Sequence, residues 1–117
     1  MAEGLGIDIV EIQRIRQLHE RYGARFLQRL FSIDETTYAF SRRDPYPHLA
    51  ARFAAKEALI KAGGLHKPLP WTQMEVRLDS QGKPTLYLEG TPATSHLVSL
   101  SHTTDYAVAV VWWKGNP

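Results

Sequence analysis

The chain has 117 residues, 44% of them hydrophobic and 22% charged, which is enough for one hydrophobic core and unlike a disordered tail. It holds no cysteine, so disulfide staples, thiolate catalysis and Cys-based zinc or iron–sulfur sites are excluded. Fourteen Lys and Arg against twelve Asp and Glu leave a formal charge of +2, too small an excess to mark a nucleic-acid partner. The opening residues Met1 to Gly4 carry no signal-peptide pattern. The longest apolar run, the eight residues Tyr106 to Trp113, falls far short of a membrane span. A cytoplasmic chain with no membrane partner is expected.

Residues 5–12 favour a strand, with Leu5, Ile7 and Ile9 on one face and Gly6, Asp8 and Val10 on the other. Both faces are largely apolar, so the strand is expected to be buried on both sides, with Asp8 inside it or at its end. Residues 12–22 place Ile12, Ile15, Leu18 and Tyr22 at helical spacing among arginines, and Gly23 closes this amphipathic helix. A short helix follows over about 24–30. Ser32 with Glu35 forms a capping-box signature for a third helix, to about Ser41. Residues 42–47, basic and broken by two prolines, read as a loop. From His48 to Ala62 runs the longest helical pattern, closed by Gly63-Gly64.

The remainder alternates as strands over 71–78, 85–88, 97–101 and 106–113, with turns at 79–83 and 102–105. The order of elements is α+β: one small domain over residues 1–117, its long central helix packed on a mostly antiparallel sheet.

The central helix is unusual. At about 100° per residue, Leu49, Phe53 and Ile60 fall in one narrow arc that also contains Lys56, with Arg52 and Glu57 on its flanks and Lys61 beyond. Ala51, Ala55, Ala58 and Ala62 occupy the opposite side, which implies close packing around most of the circumference. Charges in such a helix must be paired, liganded or placed at a cleft. A plain Glu57–Lys61 pair one turn apart would be worth only about 0.3–0.5 kcal/mol on an exposed face. Taken with Asp8, Glu57 completes a pair of carboxylates flanked by bases, a pattern suited to a hard cation of the magnesium type with phosphate beside it. His102 follows a strand at the mouth of a hairpin, where it either binds phosphate or satisfies the turn. The remaining histidines, His19, His48, His66 and His96, show no pattern of a transition-metal ligand set and read as surface or core-edge residues.

Three ordered motifs carry a resemblance across nearly the whole chain. Gly4-Leu5-Gly6-Ile7-Asp8-Ile9-Val10-Glu11-Ile12 with Arg14-Ile15 opens it. Arg52-Phe53-Ala54-Ala55-Lys56-Glu57-Ala58 with Lys61-Ala62 is the most specific. Val98-Ser99-Leu100-Ser101-His102 with Tyr106-Ala107-Val108-Ala109 closes it, and Gly82-Lys83-Pro84 fits the turn between strands. Together these resemble the holo-(acyl-carrier-protein) synthase type of 4′-phosphopantetheinyl transferase. Two departures stand out. Gly63-Gly64-Leu65-His66-Lys67-Pro68 replaces a Gly-Thr-Gly-like loop, and Ser32 stands where Thr is common.

The resemblance implies transfer of the 4′-phosphopantetheine arm from coenzyme A to a serine of an acidic apo acyl carrier protein, as in fatty acid biosynthesis, with adenosine 3′,5′-bisphosphate released. It implies Mg²⁺ held by Asp8 and Glu57, and a homotrimer with active sites between neighbouring subunits. Lys61 would neutralise or protonate the departing phosphate. Arg52 and His102 are placed near the coenzyme A phosphates. Lys56 either shares that electrostatic work or forms a structural ion pair. Arg14 and Arg21, seven residues apart on one helix, are candidates for docking the carrier, with Arg21 equally readable as a solvated arginine. Two rival readings remain: a Mg²⁺-dependent phosphohydrolase built on the same carboxylates, and a non-catalytic nucleic-acid-binding module.

Overall fold

The computed structural model describes residues 2–116; Met1 and Pro117, the ends of the expected domain, lie outside the described residues. Strand β1 spans Gly4–Glu11 and is followed by helices α1 (Ile12–Tyr22), α2 (Ala24–Leu30), α3 (Ile33–Phe40) and α4 (Pro45–Ala62). Strands β2 (Met74–Leu78), β3 (Pro84–Leu88), β4 (Thr91–Pro92), β5 (His96–His102) and β6 (Tyr106–Trp113) complete the α+β order. Two three-stranded antiparallel sheets form, one in the order β1-β6-β5 and the other β2-β3-β4.

Helix α4 lies across the β1-β6-β5 sheet, and the sequence shows why it lies so close. Ala54, Ala55, Ala58 and Ala62 are buried and present almost no side chain to keep a strand away. Opposite them β1 offers Gly4 and Gly6, where an added Cβ would run into the backbone carbonyls of Ala62 and Ala58 respectively. Only glycine fits at either position.

The alternation along β1 matches the reading from sequence, but burial on both sides does not hold. Gly6 and Val10 face α4, whereas Leu5, Ile7 and Ile9 are 70%, 61% and 65% exposed. Leu5 pairs with Trp112, and Trp112 with Leu97, so an apolar face crosses all three strands. The chain covers one side of this sheet with α4 and leaves the other side open.

Two boundaries and one added strand also differ. The Pro45-Tyr46-Pro47 stretch begins α4 rather than sitting in a loop: the Asp44 carboxylate accepts from Tyr46 N at 3.1 Å, and Pro45 takes the first helical position. Proline is welcome there because it lacks an N–H that would otherwise go unpaired. Residues Trp71–Gln73 form a single 3-10 turn, so β2 starts at Met74. Trp71 stacks on Phe53 with ring centroids 5.5 Å apart, and its carbonyl accepts from Lys56 Nζ at 2.8 Å, which removes it from the sheet ladder. The two-residue strand β4 was not expected.

Lys56 is the fold's central polar anchor. Its ammonium is fully buried and donates to Glu35 Oε1 at 2.7 Å. Glu35 is just as buried and also accepts from Ser32 N at 3.0 Å and, through Oε2, from Val76 N at 2.9 Å. The capping box foreseen at Ser32 is therefore the visible end of a network joining α3, α4 and β2. Desolvation pulls the Lys56 ammonium below its ordinary range, and Glu35 opposes that shift. Of the two roles open to Lys56, the structure shows the ion pair: two of its three N–H donors go to Glu35 and the Trp71 carbonyl, and its side chain has no exposed surface from which to meet a ligand.

Replacing Lys56 by Met leaves the Glu35 carboxylate buried without its counter-ion. A loss of about 3–5 kcal/mol is expected in urea denaturation, read as a shift of the midpoint.

Candidate active site

The register of β1 decides which groups meet. Asp8 pairs with Ala109 and shares its face with Gly6 and Val10, so its carboxylate points to the side covered by α4. Helix α4 supplies Glu57 and Lys61 on that side. Asp8 and Glu57 line one cleft of about 550 Å³ together with Glu11, Arg14, Phe26, Phe53 and Tyr106. Lys61 Nζ donates to the Ile7 carbonyl at 3.0 Å and lies 3.3 Å from Asp8 Oδ1. The Asp8 side chain is 19% exposed and that of Lys61 54%, so the pair faces solvent, and Lys61 reaches Asp8 without itself lining the cleft. Lys61 thus turns to β1 and not back along its own helix to Glu57.

Two hard oxygen donors in one cleft suit a particular kind of ion. Among the described residues no group of three or more metal-ligating side chains converges. A closed zinc-type cage is therefore not what Asp8 and Glu57 build. A small hard cation that takes one or two carboxylates, and keeps water or phosphate oxygens elsewhere, fits this donor set.

Arg14 lies on the cleft wall, exposed on α1. Arg21 is two turns further on, with its guanidinium 5.3 Å from the Tyr22 ring, and does not line the cleft.

Arg52 and His102 both neighbour His48, away from that cleft. Arg52 is 3% exposed, its guanidinium lies 4.6 Å over the Tyr38 ring, and Nη1 donates to the His48 carbonyl at 3.2 Å. Its Nε finds no partner among the described residues. Burial lowers the Arg52 pKa, with Glu35 and Tyr38 acting against the shift. The His102 ring stands at the end of β5, 6.0 Å from that of His48. Neither Arg52 nor His102 lines the cleft of Asp8 and Glu57. The acidic cleft and this basic cluster therefore stand apart in one chain.

His48 was passed over in the sequence because it matches no metal-ligand spacing. The available signal was its place one turn before Arg52 on the same helix.

The Gly63-Gly64 loop that departs from the expected pattern is anchored from the sheet. His96 Nε2 donates to Gly63 O at 2.8 Å, and a Cβ at Gly64, whose φ is +86°, would meet the Trp113 indole at 2.6 Å. Glycine is required there by conformation and by contact alike.

With this geometry in place, comparison with known proteins is informative. A family model described as the 4'-phosphopantetheinyl transferase superfamily matches residues 4–111. The holo-(acyl-carrier-protein) synthase of Thermodesulfovibrio yellowstonii is 45% identical over 111 residues, covering 95% of this chain and 97% of that one. That of Chlamydia trachomatis serovar L2 is 46% identical over 113 residues, covering 92% and 95%. Among solved structures, the ACPS–CoA complex of Chronobacterium ammoniagenes superposes with a TM-score of 0.82 at 30% identity, with both chains fully covered. The Bacillus anthracis holo-(acyl-carrier-protein) synthase, in complex with CoA (3',5'-ADP), gives 0.76 at 35% identity, covering 94% of each chain. The chain belongs to the 4′-phosphopantetheinyl transferase superfamily.

Proposed function

We propose that this protein moves the 4′-phosphopantetheine arm of coenzyme A onto a serine hydroxyl of an apo acyl carrier protein. A bond forms between the serine oxygen and phosphorus, the pyrophosphate linkage breaks, and adenosine 3′,5′-bisphosphate leaves. The observation that carries this reading is the convergence of Asp8 and Glu57 on one cleft, with Lys61 held against Asp8. The relatives named as holo-(acyl-carrier-protein) synthases support the same activity.

Substitution at a pyrophosphate phosphorus is governed by charge and alignment, so the protein's contribution is positioning and electrostatic neutralisation. Asp8 and Glu57 would hold Mg²⁺, which when bound offsets charge on phosphate oxygens. Lys61, tethered by the Ile7 carbonyl and the Asp8 carboxylate, keeps one N–H donor for a departing phosphate. Phe53 and Tyr106 give the cleft apolar walls for the arm. Arg14 offers a cation on the cleft wall for an acidic carrier, and Arg21 extends that charge along α1.

The reading includes a homotrimer with active sites between subunits, working in the cytoplasm on the carrier of fatty acid biosynthesis. Two features support the assembly. The Leu5, Ile7, Ile9 and Trp112 face is too apolar and continuous to remain uncovered. The basic cluster at Arg52 and His102 and the acidic cleft lie apart in one chain, so a neighbour's cluster placed beside the cleft would serve one coenzyme molecule. No helix among the described residues is long and apolar enough to cross a membrane.

Mass spectrometry of an apo carrier incubated with coenzyme A and Mg²⁺ should record the gain of one phosphopantetheine arm. Coenzyme cleavage beside an unmodified carrier would instead indicate a phosphohydrolase. Asp8→Ala and Glu57→Ala should each stay folded and lose transfer by about 10²-fold or more, the scale of removing a group that neutralises transition-state charge; wild-type turnover at saturating Mg²⁺ would rule out the ligand assignment. Arg14→Glu should weaken binding of the carrier far more than binding of coenzyme A. Equal losses for both in calorimetric titrations would remove Arg14 from the docking surface.

A further inference from the structure

We propose that His48 is a third member of the phosphate-binding group of Arg52 and His102, and that it takes a proton from solvent when the phosphate arrives. The proposal rests on the transferase reading above, in which a coenzyme A phosphate lies at Arg52 and His102.

The geometry is that of a prepared anion site. The His48 ring meets His102 at 6.0 Å and Tyr38 at 5.5 Å, edge-on to both. Its carbonyl holds Arg52 Nη1, and the same buried guanidinium keeps an Nε without a partner among the described residues. A buried donor left unpaired is costly, and an anion acceptor relieves that cost. The charges that face His48 come from several elements: Arg52 from its own helix, His102 from β5, and Arg42 and Asp44 from the segment before α4, while α3 contributes the neutral Tyr38 ring. Of these only Asp44 favours an imidazolium.

In the free chain, burial first and then Arg52, His102 and Arg42 hold the His48 pKa below its ordinary value. The ring is therefore neutral near pH 7 and offers a single N–H. A phosphate placed among these groups reverses the balance, since an anion within a few ångströms favours the charged imidazole. Because the bound pKa then exceeds the free one, phosphate affinity rises as pH falls through the bound value and levels off below the free value.

The test follows the five histidines of the whole protein by NMR from about pH 5 to about 8, using His48→Gln to identify the His48 signal. Coenzyme A should move the His48 midpoint upward by about one unit, equivalent to about tenfold preference for the protonated form. Pantetheine without phosphate should leave it in place. Calorimetry in two buffers of different ionisation enthalpy should record less proton uptake for His48→Gln than for wild type. If coenzyme A binds and the midpoint stays where it was, the proposal fails and the transferase reading stands. If coenzyme A does not bind at any pH, both fail together.

Discussion

The near-contact of a glycine strand with an alanine helix underlies the arrangement of the candidate active site. Gly4 and Gly6 let β1 settle against the carbonyls of Ala58 and Ala62, and Asp8 follows two residues later on the same face. Lys61 stands beside Ala62 in the helix and reaches the Ile7 carbonyl because that separation is so small. A larger side chain at either glycine would push the strand outward and carry Asp8 away from Glu57. The small residues that look like a packing detail therefore set the distance on which the proposed chemistry depends.

A second constraint keeps α4 from rotating. The Glu35–Lys56 ion pair is buried at both ends and tied to the backbone of α3, β2 and Trp71. Glu57 is the next residue after Lys56, so locking Lys56 also fixes the direction in which Glu57 projects. Buried ion pairs contribute little net stability compared with apolar residues of the same size, yet losing one partner is severe. In this chain their role is orientation.

Much of this was legible from residue spacing. The first three helices, the turn at Asp79–Lys83 and strand β6 followed from period, capping chemistry and glycine placement, as did the strand carrying Asp8. The carboxylate cleft was legible too, since Asp8 and Glu57 were singled out as charges needing a partner or a ligand. What escaped was long-range. The partner of Lys56 lies 21 residues away and was visible only as a helix cap. Alternation along β1 revealed two apolar faces but could not say that the chain covers only one of them. Pro45 and Pro47 resembled a loop because proline marks helix starts and loops alike. His48 gained its meaning only when β5 brought His102 to it.

The two-residue period of β1 also bears on how this chain can vary in length. Side chains on a strand alternate strictly, so shifting its pairing by one position would turn Ile7 or Ile9 toward the helix and Asp8 toward the opposite face. A deletion or insertion of a single residue between Gly4 and Asp8 would thus exchange acid for aliphatic at the cleft while barely altering composition. Drift in chain length among homologous sequences should concentrate elsewhere, in the loop after Gly63 or the turn at Asp79–Lys83, where no such parity applies.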